Sequence, residues 1–238
     1  MLDYLKPERV LFLDIETVPA LPDFSELDEG FQKLWEKKSS QFRKEDQTAA
    51  DVYGRAGIYA EFGKVICISF GMLHWKDGQR MLRVKSLYND NEYAVLKDFS
   101  DLLIKLNSAN DLVLCGHNGK EFDFPYISRR MLINNIALPT VLDVAGRKPW
   151  ETQFVDTLEL WKFGDYKNYT SLELLTKVMG IPSPKNDIDG SMVAKVYYQD
   201  KDLERIARYC CNDVVALVRL LLKFKGEKLL PDEQIEIV

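Results

Sequence analysis

The chain has 238 residues, 46% of them apolar and 29% charged, which suits a soluble globular protein of one large domain or at most two small ones. A formal net charge of −5 argues against strong non-specific duplex binding, which needs a basic face. No apolar run approaches the ~18 residues of a membrane span, and the N-terminus lacks a signal peptide's apolar stretch, so the expected compartment is the cytoplasm.

The first element read in chain order is Val10-Leu11-Phe12-Leu13-Asp14-Ile15-Glu16-Thr17, a buried strand that ends in two acids. Side chains alternate along a strand, so Asp14 and Glu16 share a face about 7 Å apart. Two such carboxylates repel unless a proton or a cation lies between them, and a hard divalent ion favours oxygen ligands. After Pro19 and Pro22 the residues from about 23 to 57 read as one or two polar helices. Phe24, Leu27, Phe31, Leu34 and Trp35 recur there at helical spacing, as expected of a helical insertion over about residues 20–60 packed on the sheet. Its alternative role is a flap over substrate.

Lys64–Trp75 and Arg80–Leu87 alternate as a hairpin around Lys76-Asp77-Gly78-Gln79 and are expected to pair with the first strand. Glu92–Leu106 is an amphipathic helix, and Leu112–Cys115 is a short strand apolar on both faces, hence central. A helix over Phe122–Asn134 follows, with Pro125 in its first turn and Arg129 and Arg130 on its exposed side. The loop Ala145–Trp150 leads to a short strand, Gln153–Asp156. Helices then run over Thr157–Phe163, Ser171–Gly180, Gly190–Tyr198 and Leu203–Lys225, with Pro182 and Pro184 holding the chain extended between the second and third. The domain spans 1–230, and residues 231–238 read as a frayed acidic tail. The four cysteines show no metal-ligand spacing, and reduced thiols fit better than a zinc site with His74 and His117.

Two later stretches extend the chemistry of Asp14 and Glu16. Asp123 lies in His117-Asn118-Gly119-Lys120-Glu121-Phe122-Asp123-Phe124-Pro125-Tyr126, directly after a buried strand. Tyr209 and Asp213 lie four apart in a helical pattern, hence on one face, and Asp213 adjoins apolar positions where an unserved carboxylate is costly. In this order D-I-E, N-G-x-x-F-D-x-P-Y and Y-C-x-x-D-V resemble the three exonuclease motifs of the DnaQ-like (DEDD) 3′–5′ exonucleases. The tyrosine before the last acid marks the DEDDy branch. The likeness is nearest to the proofreading domain of family B DNA polymerases and their stand-alone bacterial relatives.

The resemblance implies an α/β, ribonuclease H-like fold with a mixed five-stranded sheet: three antiparallel strands and two shorter parallel ones, flanked by helices. It implies two divalent ions, Mg²⁺ or Mn²⁺, held by Asp14, Glu16, Asp123 and Asp213. Asp14, Glu16 and Asp213 would bind the first ion, Asp14 would bridge to the second, and Asp123 would act largely through water. Tyr209 would orient the attacking water. The implied reaction releases 5′-mononucleotides from the 3′ end of single-stranded DNA, with RNA as the alternative substrate. Asn118, Thr17 and the Ile15–Glu16 backbone are candidate contacts to the terminal nucleotide, Phe122 a candidate stacking surface, and Arg147 and Lys148 candidate phosphate contacts. His117 is assigned no role. No polymerase motif fits in the remaining length, and no protein partner is visible. The rival from another class, an inactive nucleic-acid-binding or scaffold protein, has against it that all five catalytic positions are filled.

Overall fold

A computed structural model describes residues 2–165, 169–182 and 187–238; Pro184 lies outside these. Strand β1 (Val10–Pro19) alternates cleanly, and the alternation decides what each face of the sheet meets. Leu11, Leu13 and Ile15 point toward helices α2 (Glu92–Leu106) and α3 (Asp123–Ile133), where they pack with Leu96, Phe99, Leu103, Ile127 and Met131. Val10 and Phe12 point the other way, onto Val214, Val218 and Leu221 of the long helix α7 (Leu203–Lys225).

The antiparallel hairpin β2 (Gly63–Lys76) and β3 (Gln79–Tyr88) flanks β1 on one side. The short parallel strands β4 (Val113–Gly116) and β5 (Phe154–Asp156) flank it on the other. The sheet is mixed and six-stranded in the order β5-β4-β1-β2-β3-β6, one strand more than the five expected. The sixth, β6 (Ile235–Ile237), comes from the tail expected to fray and pairs parallel with β3 at Leu82–Val84. An arginine inside α7 anchors that tail. Arg219 is 1% exposed, donates to the carbonyls of Leu230 and Pro182, and pairs with Asp232.

The expected hairpin, α2 and α7 match their predicted spans within a residue or so. Differences lie where local pattern is weak. The 20–60 segment holds one α-helix, α1 (Glu29–Ser39), and short 3₁₀ turns at Phe24–Glu26 and Tyr53–Ile58. Trp35 is its centre: fully buried, it meets Tyr53, Tyr59, Phe42 and Phe62 edge-on and donates its indole N–H to the Ala49 carbonyl. Phe31 and Leu34, on the predicted apolar stripe, are instead largely exposed, because this small aromatic cluster uses only part of the helix. Gly57 brings the segment hard against β1, where an added Cβ would come within 3.0 Å of the Val18 carbonyl carbon.

Arg130, expected on an exposed face, turns inward to Glu92, whose carboxylate also accepts from the Val65 N–H and the Asn134 amide. Helices α4 (Thr157–Lys162) and α5 (Leu172–Val178) follow β5. The expected helix near 190–198 is a single turn, α6 (Val193–Lys195), running into a π-helical turn over Val196–Asp200. No described helix is long and apolar enough to cross a membrane.

Candidate active site

The alternation of β1 that buries Val10 and Phe12 beneath α7 also aims Asp14 and Glu16 at α7, at the end of its apolar contact. The β1–β2 ladder sets Asp14 opposite Ser69 and Glu16 opposite Cys67, then slips register between Glu16 and Thr17. Such a bulge bends the strand and often lies beside a site. Glu16 is 8% exposed although ionisable.

Asp123 arrives from the other side. After β4 the loop doubles back tightly: a Cβ on Gly119 would lie 2.9 Å from Phe124 Cζ and 3.1 Å from the Gly116 Cα. Only glycine permits that approach, and Asn118 adopts a left-handed φ of 63° beside it. The fold-back starts α3 at Asp123, whose Oδ1 accepts the Ile15 N–H at 3.1 Å. The third motif acid is thereby tied to the backbone between the first two.

Asp156, at the end of β5, holds the loop. Its buried carboxylate accepts from the backbone of Asn118 at 2.9 Å and Lys120 at 3.0 Å, and from Leu158 and Glu159 at the start of α4. From the sequence Asp156 reads only as the last residue of a strand. An aspartate before Thr-Leu-Glu at a strand–helix junction is an N-cap pattern and was the available signal. His117 braces the same loop: its Nε2 donates to the Thr170 carbonyl at 2.8 Å, and Nδ1 lies 2.9 Å from Thr157 Oγ1. Burial lowers its pKa, which favours the neutral ring.

The charges converge. Burial is the main force raising the pKa of Asp14, followed by the charges of Asp123 and Asp213. Glu16 is raised by burial, then by Asp14 and Asp213. Burial pushes Asp123 up to about 7, against the lowering effect of backbone N–H donors. Tyr209 hydrogen-bonds Asp213, and its phenol is held well above its ordinary value by burial and then by Asp213, Glu16 and Asp14. Asp14, Glu16 and Asp123 form no ion pair among the described residues. The donor set is therefore carboxylate oxygen, crowded and under-compensated, which fits hard divalent cations. One atom each of Asp14, Glu16 and Cys210 lies within 4.8 Å of the others.

The structure thus brings Asp14, Glu16, Asp123, Tyr209 and Asp213 together. Thr17 lies within β1, just past the register slip, and shares a hydrogen bond with Tyr126. The Ile15 N–H is taken by Asp123, and Phe122 leans on Tyr126 in the α2–α3 core, with ring centroids 5.3 Å apart. Arg147 and Lys148 are elsewhere. Their loop precedes β5, and Arg147 lines a cleft with Asn107, Asn110 and Gln153 at the opening ends of β4 and β5. The acids lie at the closing ends of these parallel strands. One further residue borders the acids without a signal in the sequence: Tyr169, 68% exposed overall, has its phenol pKa raised by partial burial and then by the charges of Asp123 and Asp14. A tyrosine in a polar loop gave no periodic signal to mark it.

A mixed sheet with acids within its central strand, on a facing helix and at the start of the helix that follows the neighbouring parallel strand defines a ribonuclease H-like domain of exonuclease type. The chain belongs to a family of predicted 3′–5′ exonucleases related to the exonuclease domain of PolB, whose model matches residues 58–229. That span includes Asp123, Tyr209 and Asp213 and begins after Asp14 and Glu16. Among solved structures, the family B DNA polymerase of the hyperthermophilic archaeon Pyrobaculum calidifontis is similar over 90% of this chain, with a TM-score of 0.52 and 17% identity. The chain spans 24% of that polymerase's length, and the likeness concerns the fold. No curated protein sequence matches the chain.

Proposed function

We propose that the protein is a divalent-metal-dependent 3′–5′ exonuclease that removes 5′-mononucleotides from single-stranded DNA. The observation that carries this reading is the convergence of four acids from β1, α3 and α7 on one buried spot, with the Tyr209 phenol beside Asp213. Asp14, Glu16, Asp123 and Asp213 would hold two ions, Mg²⁺ or Mn²⁺. When bound, such ions acidify water and stabilise charge on a leaving oxygen. Asp123, tethered to Ile15, keeps the cluster closed on the α3 side. Tyr209 acts as a neutral hydrogen-bonding group that orients the attacking water. Its raised pKa opposes a role as general base at neutral pH. Thr17 and Asn118 border the space for the terminal nucleotide, and the acidic chain suits a grip on a few nucleotides rather than a duplex.

The test is a 5′-labelled single strand, made once as DNA and once as RNA, incubated with Mg²⁺, Mn²⁺ or chelator. The expected result is a ladder of DNA shortened from its 3′ end, mononucleotide product and complete loss in chelator. Faster digestion of RNA would reassign the substrate, and undiminished digestion in chelator would end the metal-dependent reading.

A further inference from the structure

Behind the acids runs a seam of polar side chains. Cys210 of α7 is fully buried, and its Sγ lies 3.3 Å from both the carbonyl oxygen and Oδ2 of Asp14. Its other hydrogen-bonding neighbour is the Cys67 thiol on β2. Cys67 Sγ lies 3.7 Å from Ser69 Oγ, which meets Ser86 Oγ at 2.5 Å, and Ser86 Oγ lies 2.9 Å from Cys211 Sγ. Farther along α7 the same interface is made of Val214, Leu217, Val218 and Leu221. The polar positions thus gather where β1 changes from apolar residues to acids.

A buried thiol does not need a partner, since free cysteine packs as a small hydrophobe. A buried carboxylate does need donors, and Asp14 has no cationic side chain paired with it among the described residues. Residues behind a metal ligand commonly fix its orientation by such a hydrogen bond.

We propose that Cys210 is a positioning residue: its S–H donates to Asp14 Oδ2 and holds that carboxylate in the orientation the cluster requires. Cys210 has one thiol proton, and it goes to Asp14 Oδ2 rather than to the Cys67 sulfur behind it. Alanine and valine at position 210 bracket the thiol in size and remove the donor, whereas serine keeps a donor. The inference rests on the reading that the four acids hold divalent ions.

The experiment is calorimetric titration of the metal-free full chain with Mn²⁺, for the unaltered protein and for Cys210→Ser, Cys210→Ala and Cys210→Val. Melting of each metal-free protein reports folding, and two donor-free variants of different size guard against one that does not fold. Serine should bind within about 3-fold of the unaltered chain, and alanine and valine more weakly by about 10-fold or more, the usual effect of losing such a partner. Alanine and valine binding as tightly as the unaltered chain, or serine binding weakest, would reduce Cys210 to packing and overturn the inference. So would variants that lose only Cd²⁺ or Zn²⁺ affinity, which would make the thiol a direct ligand for soft ions. If the unaltered chain takes up no Mn²⁺, the metal reading itself falls, and this inference with it.

Discussion

Tyr209 and Asp213 share one turn of α7 and one hydrogen bond, yet their losses should differ. On the proposed reading, Asp213→Asn removes a charge that the ions would require. It should abolish hydrolysis and suppress the metal-induced rise in melting temperature, worth ~2.7 kcal/mol at ~100 times the dissociation constant. Tyr209→Phe leaves every acid in place, so metal should still stabilise the protein while kcat falls by roughly 10²-fold and KM barely moves. A fully active Tyr209→Phe would make Tyr209 a packing residue. The raised acids also set a pH dependence. In the metal-free protein Asp14, Glu16 and Asp123 bind protons more tightly when folded than when unfolded. Their protonated forms favour the fold, so stability should fall as pH rises from the ordinary carboxyl range near 4 through about 7, the value for Asp123. Melting in chelator between pH 5 and 8 checks the sign, and stability that rises over that range contradicts the crowded cluster. Saturating Mn²⁺ should reverse the trend, because the ion needs ionised ligands.

At the scale of elements, Glu92 and Arg130 join three pieces of the fold. Glu92 opens α2, takes the Val65 N–H of β2 at 2.7 Å and receives Arg130 of α3, which also reaches the Ala60 carbonyl. Glu92→Ala would strand a guanidinium whose side chain is 12% exposed, so it should cost about 3–5 kcal/mol in denaturant melts without altering the kcat of the folded fraction. A loss under about 1 kcal/mol would mean that Arg130 swings to water. These elements also mark how far the sequence could be read. Strand β1, α2 and α7 were legible because each carries one uninterrupted period, 2.0 for the strand and 3.6 for the helices. The inward turn of Arg130 was not, since its partner lies 38 residues away and leaves no local trace. The same holds for β6, whose strand exists only because Arg219 and β3 receive the tail. At the site, five motif residues stand out by type and order, and the fold brings them near one another. The devices that aim them, Asp156 beneath the loop and Cys210 behind Asp14, depend on contacts between distant segments.

For the whole molecule, charge sets the expected mode of binding. With a net charge of −5 and Arg147 and Lys148 remote from the acids, about two to four phosphate contacts should form. The slope of log K against log salt for a single strand should then lie at about −1.5 to −3, and a slope near −6 would reveal a basic groove. We propose that this sheet and its flanking helices bring four acids around two cations. An anomalous difference map from crystals grown with Mn²⁺ tests it most directly. Two peaks about 3.5–4 Å apart are expected among Asp14, Glu16, Asp123 and Asp213. Ordered acids with no peak between them, or peaks only at other positions, would contradict it.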